Sequence, residues 1–283
     1  MKGLATFVMR GRLQASGVAA LTSALPILGW LGTSVVALVI LRQGIKEGLL
    51  VFLWAALPLI VIYQTGGDVS GLAALVGTFV LASVLRATTS WELTLVAALI
   101  AATLGSFIFS VLSEPILSAF VEWYVSTIAT LAEEAGVAGI SFDEGRRQAM
   151  SYLAMGQGYL MILAVMLARW WQSHLFNPGG FKQEVQGLRL SPKVCVPLIG
   201  LMVLCALTDG YAAWVGLLAM PFVVAGSGLV HWFFAHKKVP SQWYFVYYML
   251  LMLMFQWVST LLVMLVFADG ALDLRRRIES KED

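Results

Sequence analysis

Apolar runs of roughly 20 residues recur along most of this chain of 283 residues, and they decide what it can fold into. As an α-helix, such a run matches the hydrocarbon core of a bilayer, about 30 Å thick. Charged residues make up 12% of the sequence, about half the roughly 25% typical of globular proteins. Too few charges remain to cover a surface in water. The sequence therefore predicts an all-α polytopic transmembrane helical bundle, forming a single transmembrane domain over residues 1–283.

Apolar length, together with charged or glycine-rich breaks, predicts about eight spans. They cover residues 17–41, 48–64, 71–86, 92–113, 149–169, 194–208, 211–235 and 242–267. The first stretch is longer than the apolar region of a signal peptide, which is about 7–15 residues. We therefore expect it to be a retained anchor.

The placement of Lys and Arg predicts which ends of the spans face the cytoplasm. The segment 169–193 and the run 236–238 are basic, so we expect both on the cytoplasmic side, with a loop at 170–193. The segment 114–145 is acidic and has no basic residue, so it should lie outside. The net charge of +2 is too small to indicate a nucleic-acid partner. The expected location is the bacterial inner membrane, with membrane lipids as neighbours.

Two regions do not fit this simple count. Basic residues flank the stretch 17–41 on both sides, so one crossing cannot place both flanks inside. A helical hairpin turning at Pro26–Gly32, with arms near 13–25 and 30–41, would return both flanks to the cytoplasm. We favour this hairpin over a single span with the N-terminus outside, because the other basic clusters follow the rule. The second conflict is the basic run Arg275–Arg277, which counting places outside.

Residues 115–135 form a helix of a different kind. Aromatic and apolar side chains recur there at helical spacing, while Glu122 and Glu133 lie off that stripe. This pattern is typical of an amphipathic helix that lies on a membrane surface or caps a bundle. We expect it on the outer face.

Sequence motifs give no support for an enzyme. The chain has no Walker-type or dinucleotide-binding glycine loop. Two partial matches to intramembrane protease motifs lack a required residue, and a third, at 65–68, lies in a predicted outer loop. No pair of His, Cys or acidic residues has metal-ligand spacing on one helix face. Cys195 and Cys205 are ten residues apart, which is neither a zinc nor a redox spacing. We expect no catalytic residues, no metal and no cofactor.

Polar residues within or beside the spans are the better indication of a site, because they are costly in lipid. Gln157 lies between two glycines in the fifth span, and Glu114 closes the fourth. We interpret these residues as part of an outward-facing ligand pocket, although helix packing is the alternative interpretation for Gln157. The candidate ligand-binding residues are Glu114, Trp123, Tyr152, Gln157 and Tyr159.

The segment 170–193 contains the turn Asn177-Pro-Gly-Gly, followed by mixed polar and apolar residues typical of a short helix lying on the membrane. It is either an interfacial loop with basic anchors or a docking surface for a cytoplasmic or membrane partner protein. The docking candidates are Asn177, Phe181 and Arg189.

This segment and the turn 41–48 resemble the YybS-like family of bacterial polytopic membrane proteins. The resemblance carries over no catalytic residues. That family is distantly similar to the substrate-binding membrane subunits of energy-coupling-factor transporters, which typically have six spans where this chain has about eight. The resemblance implies a non-enzymatic subunit that binds or helps transport a small hydrophilic molecule or ion. The alternative is a membrane scaffold that organises other proteins without transport activity.

Overall fold

A computed structural model describes residues 2–279, and every regular element in that range is a helix. The α-helices are α1 (Lys2–Val8), α2 (Arg12–Ser23), α3 (Gly29–Gln43), α4 (Ile45–Gly66), α5 (Ser70–Thr88), α6 (Trp91–Leu112), α7 (Glu114–Ala135), α8 (Phe142–Phe176), α9 (Gly180–Gly187), α10 (Pro192–Leu207), α11 (Val215–Leu218), α12 (Met220–His236), α13 (Gln242–Leu253), α14 (Phe255–Leu272) and α15 (Leu274–Glu279). Within residues 2–279, six helices are long and apolar enough to cross a membrane, or up to eight if each bent pair is one span. The predicted all-α polytopic bundle is confirmed. Met1 and residues 280–283 of the predicted domain lie outside the described residues.

The region 17–41 folds as a hairpin. A short 3₁₀ turn at Pro26–Leu28 joins α2 to α3. The two arms are in close contact, because a Cβ atom on Gly32 would lie only 3.0 Å from the carbonyl oxygen of Ala19. At the open end, Arg12 forms an ion pair with Glu47, so the start of α2 lies beside the start of α4. Both basic flanks therefore lie on one face of the bundle, as the hairpin interpretation requires.

α3 is the central helix of the apolar core. Each residue in 35–40 is at most 2% exposed. α3 packs against α2, α4, α5 and α8, so protein rather than lipid surrounds its apolar side chains. With 15 residues, α3 is about 22 Å long, which is shorter than the hydrocarbon core of a bilayer. Its neighbours shelter this short helix.

The last predicted span, 242–267, is not one continuous helix. The backbone breaks at Met254, between α13 and α14. A straight helix would place Tyr248 about 40 Å from Arg275. Instead, the Tyr248 hydroxyl lies 2.8 Å from Nε2 of His231, and the Arg275 guanidinium lies 5.9 Å from the ring of Trp232. The pair α13–α14 therefore doubles back, and both of its ends lie beside the last turns of α12.

A buried ion pair holds the end of α14 in this position. Asp269 and Arg275 are 5% and 4% exposed, and Nε of Arg275 lies 3.1 Å from Oδ2 of Asp269. Arg275 also donates hydrogen bonds to the carbonyl oxygens of Gln186 and, at 2.8 Å, Leu188. Burial lowers the pKa of the Arg275 guanidinium, and the Asp269 carboxylate opposes that shift. The basic run at 275–277 thus lies on the same face as α9, which removes the conflict in the span count.

The predicted loop at 170–193 is largely helical. α8 has 35 residues and continues to Phe176, so it is about 52 Å long and reaches beyond a bilayer core. The turn at Asn177 leads into α9, and α10 then leaves at an angle of 61° to α9. We call the end of the bundle that carries α9 the α9 face. Its cytoplasmic orientation stays a prediction.

α7 covers the predicted amphipathic helix. Leu117 and Val121 are fully buried, and a Cβ atom on Gly145 of α8 would lie 3.6 Å from Val121 Cγ1. Phe120 and Trp123 are exposed, at 39% and 61%. α7 therefore packs one side against the start of α8, and Trp123 faces outward. Its position on a membrane surface stays a prediction, because its length and hydropathy also suit a span.

The folded-back arrangement of α13 and α14 can be tested by the side from which cysteines react. In a Cys195→Ser/Cys205→Ser background, Lys193→Cys and Arg276→Cys should react with a membrane-impermeant maleimide from one side of the membrane. Asp209→Cys, in the exposed turn after α10, should react from the other side. Labelling in right-side-out and inverted vesicles measures this. Reaction of Arg276→Cys from the same side as Asp209→Cys would show that the last region crosses the membrane.

Candidate functional site

A cavity of about 480 Å³ lies between the tip of the α2–α3 hairpin, the start of α5, and α8. Its lining consists of Gly29, Trp30, Thr33, Leu59, Ser70, Gly71, Ala74, Phe120, Ala149, Tyr152, Leu153, Gly156, Gln157 and Leu160. Ligand cavities commonly have about 300–1,000 Å³. The cavity is therefore large enough for a small organic molecule.

Gln157 is the polar group that most needs an explanation. The residue is 8% exposed, and within the described chain neither its carboxamide oxygen nor its nitrogen has a hydrogen-bond partner. Leaving a buried polar group unpaired costs about 1–3 kcal/mol. A site with this cost suits a partner molecule that supplies the missing hydrogen bonds.

Glycines determine the space around Gln157. A Cβ atom on Gly158 would lie 3.3 Å from Cβ of Ala102 and 3.0 Å from Sδ of Met220, so α8 lies close against α6 and α12 there. A Cβ atom on Gly105 would collide with the carboxamide oxygen of Gln157. Gly156, by contrast, has nothing within 4 Å of its Cβ position and borders the cavity. One turn of α8 therefore combines a tight helix contact, an unpaired amide and open space.

Aromatic side chains form part of the wall. The indole nitrogen of Trp30 donates a 2.9 Å hydrogen bond to the carbonyl oxygen of Ile27, which fixes the ring at the hairpin tip. Tyr124 stacks on Phe120 and meets Tyr152 edge-on, with centroid distances of 6.2 and 6.4 Å. The Tyr124 hydroxyl is itself held by a 2.8 Å hydrogen bond to Gln148. These contacts give the cavity wall a defined shape.

The cavity brings together two of the five predicted ligand-binding residues, Tyr152 and Gln157. Glu114 is exposed, accepts a hydrogen bond from Ser118 and pairs with Arg146 at 3.2 Å. Trp123 faces outward, and Tyr159 packs its ring against Phe255 at 6.1 Å. None of these three residues lines the cavity.

Trp30 and Phe120 line the cavity, although the sequence did not predict them as site residues. Trp30 lies more than 100 residues before Gln157, and it reaches the cavity only because the first region folds as a hairpin. The hairpin itself was indicated by the basic flanks. No feature of the sequence predicts that the tip of the hairpin packs towards α8.

The predicted docking residues lie on the α9 face but differ in exposure. Asn177 is exposed in the turn before α9. The ring of Phe181 is partly buried and meets Trp91 edge-on at 6.4 Å. Arg189, in the linker between α9 and α10, donates a 2.8 Å hydrogen bond to Asp273 and so connects that linker to the residue after α14. Docking by these residues stays a prediction.

The fold defines a multi-pass helical membrane protein. Residues 2–279 contain no group of three or more His, Cys, Asp or Glu residues that could hold a metal ion. No family model matches the chain, and comparisons with curated proteins and with solved structures likewise found no match.

Gln157→Leu should stabilise the protein after bound small molecules are removed. The change replaces an unpaired buried amide by an apolar group of similar size, so the free energy of unfolding should rise by about 1–3 kcal/mol. Unfolding in increasing concentrations of SDS measures this. Gln172→Leu is the control and should lower stability, because Gln172 bonds Arg169 and, at 3.2 Å, the Leu41 carbonyl. Equal destabilisation by both variants would mean that Gln157 is structurally satisfied.

Proposed function

We propose that the protein is a non-enzymatic membrane subunit that binds a small molecule in the cavity beside Gln157. The observation that supports this most is the buried, unpaired carboxamide of Gln157, a residue that is 8% exposed and lines a cavity of about 480 Å³. Functional sites commonly keep groups that reduce stability, because the ligand makes use of them.

The lining indicates what kind of molecule would bind. It contains no Asp, Glu, Lys, Arg or His. Burying an unpaired charge there would be costly, which argues against an ion as the ligand. A glutamine side chain offers one acceptor and one donor side by side. The ligand that fits is neutral and largely apolar, and presents an amide-like pair of donor and acceptor.

The resemblance to the YybS-like family is consistent with this proposal, because its distant relatives bind small molecules within membrane bundles. Under this proposal, the protein lies in the bacterial inner membrane with the α9 face in the cytoplasm. A partner protein would then dock on that face, where Asn177 is exposed.

The proposal is tested by purifying the protein from native membranes and identifying retained small molecules by mass spectrometry. Wild type should retain a neutral compound. Gln157→Ala should reduce retention about tenfold, equivalent to roughly 1.4 kcal/mol of lost hydrogen bonding. Gly156→Leu should reduce it too, because the new side chain would fill the open space at that position.

Glu114→Gln is the matched control, because Glu114 lies outside the cavity lining. It should retain the compound as wild type does. Absence of any retained small molecule from wild type, or equal retention by Gln157→Ala and Gly156→Leu, would count against the proposal.

A specific observation favours the scaffold function as the second candidate. An apolar groove of about 500 Å³ runs between α5 and α6 and includes Ala73, Val76, Ala97 and Ala101. Small residues allow close approach of a neighbouring helix in a membrane. The groove could therefore receive a transmembrane helix of a partner.

The two functions respond to different substitutions. If the scaffold function holds, Ala101→Trp should remove a partner protein that copurifies with wild type, because the indole would occupy the groove. Gly156→Leu should leave that partner bound. If Ala101→Trp keeps the partner bound and Gly156→Leu loses the retained small molecule, the small-molecule site is favoured. Quantitative mass spectrometry of copurified proteins and small molecules distinguishes the two outcomes.

A further inference from the structure

A second cavity, of about 330 Å³, lies at the other end of α8, between α8, α9, α12 and α13. We propose that it binds the phosphate group of an anionic phospholipid. This site is separate from the Gln157 cavity and does not depend on the function proposed for it.

The charge of the lining favours an anion. Lys182 gives the cavity a positive charge, the imidazoles of His174 and His231 lie beside it, and no Asp or Glu lines it. Within residues 2–279, no carboxylate lies within ion-pair distance of the Lys182 ammonium. The nearest acid along α9, Glu184, is paired with Arg169 and also accepts a 3.2 Å hydrogen bond from Trp91. The positive charge of Lys182 is therefore available to a ligand.

The cavity wall is held in place by hydrogen bonds. The Ser173 hydroxyl accepts a 2.9 Å hydrogen bond from the amide of Phe181 and donates one of 2.7 Å to the carbonyl oxygen of Asn177. Gly179, with φ of +90°, then starts α9 at the edge of the cavity. The N-terminal end of a helix carries a partial positive charge, which adds to that of Lys182.

Two histidines are fixed by aromatic neighbours. His174 stacks on Trp170 with a centroid distance of 5.7 Å, and Nε2 of His231 lies 2.8 Å from the Tyr248 hydroxyl. Both imidazoles therefore stay at the cavity wall. His174 offers a hydrogen bond to a phosphate oxygen beside the Lys182 ammonium, while His231 is already bonded to Tyr248.

The apolar part of the lining favours a lipid over a free phosphate compound. Met166, Trp170, Phe181 and Val185 form the remaining walls. α8 and α13 also carry exposed apolar side chains, such as Leu163 at 61% and Phe245 at 69%. A phospholipid matches both properties, with an anionic headgroup next to acyl chains. Basic pockets between transmembrane helices are a known form of headgroup site.

The test uses the full chain purified in a mild detergent and native mass spectrometry with added phosphatidylglycerol or phosphatidylcholine. Wild type should retain phosphatidylglycerol in preference to phosphatidylcholine. Lys182→Gln should weaken phosphatidylglycerol binding about fivefold, as expected for one lysine at a membrane surface. Lys182→Arg should keep most of the binding, which shows that the charge matters.

Lys193→Gln is the matched control, since Lys193 is an exposed lysine near the α9 face that does not line the cavity. It should bind phosphatidylglycerol as wild type does. Equal weakening by Lys182→Gln and Lys193→Gln would overturn the proposal, because it would show only a general surface charge effect. Equal retention of the two lipids by wild type would overturn it too.

Millimolar glycerol 3-phosphate separates a lipid site from a site for free phosphate compounds. It should displace phosphatidylglycerol weakly or not at all, because it lacks acyl chains for the apolar walls. Complete displacement would show that the cavity recognises the free phosphate ester, and the phospholipid assignment would be wrong.

Discussion

Close contact between helices at glycine positions is the interaction on which this bundle depends. Within a membrane, helices gain little from the hydrophobic effect, so their association relies on van der Waals packing at small residues. α8 shows this along its length. The side chains of Val121 and Val125 of α7 pack against Gly145, and that of Met220 of α12 packs against Gly158. The side chains of Met161 and Gln157 of α8 pack in turn against Gly77 of α5 and Gly105 of α6. The position of α8 therefore fixes where its neighbours and both cavities lie.

Apolar length in the sequence predicted the helical class and most spans, since a run of about 20 apolar residues has few alternatives. The conflict of basic flanks around 17–41 predicted the first hairpin. The second hairpin could not be predicted in the same way, because no proline or glycine marks the break at Met254. Its cause is a set of long-range contacts. Arg275 bonds the carbonyl of Leu188, 87 residues earlier in the chain.

The residues of the candidate site also divide into those that the sequence predicts and those that long-range packing brings together. Gln157 and Tyr152 could be found from the sequence, because a polar residue between glycines in an apolar span needs an explanation. Trp30 and Phe120 could not, since their place in the cavity depends on how the hairpin tip and α7 pack against α8. Tyr159 is a residue that the sequence predicted for the site and the structure places outside it. It is two residues from Gln157, and on a helix this spacing turns a side chain by about 200°, to a different face. The two residues are close in sequence, which suggested a shared pocket, but the helix geometry places their side chains on different faces.

The two cavities on α8 have different chemistry. The Gln157 cavity lies among apolar helices and has no charged lining residue, because a charge without a partner is costly in such surroundings. The cavity at the α9 face carries Lys182 and two histidines. These groups lie near the end of the bundle, where water and lipid headgroups can solvate them. A single helix of 35 residues can serve both environments, because at about 52 Å it extends past the hydrocarbon core. Its middle then borders a cavity without a charged lining residue, while its last turns reach the cavity that carries Lys182.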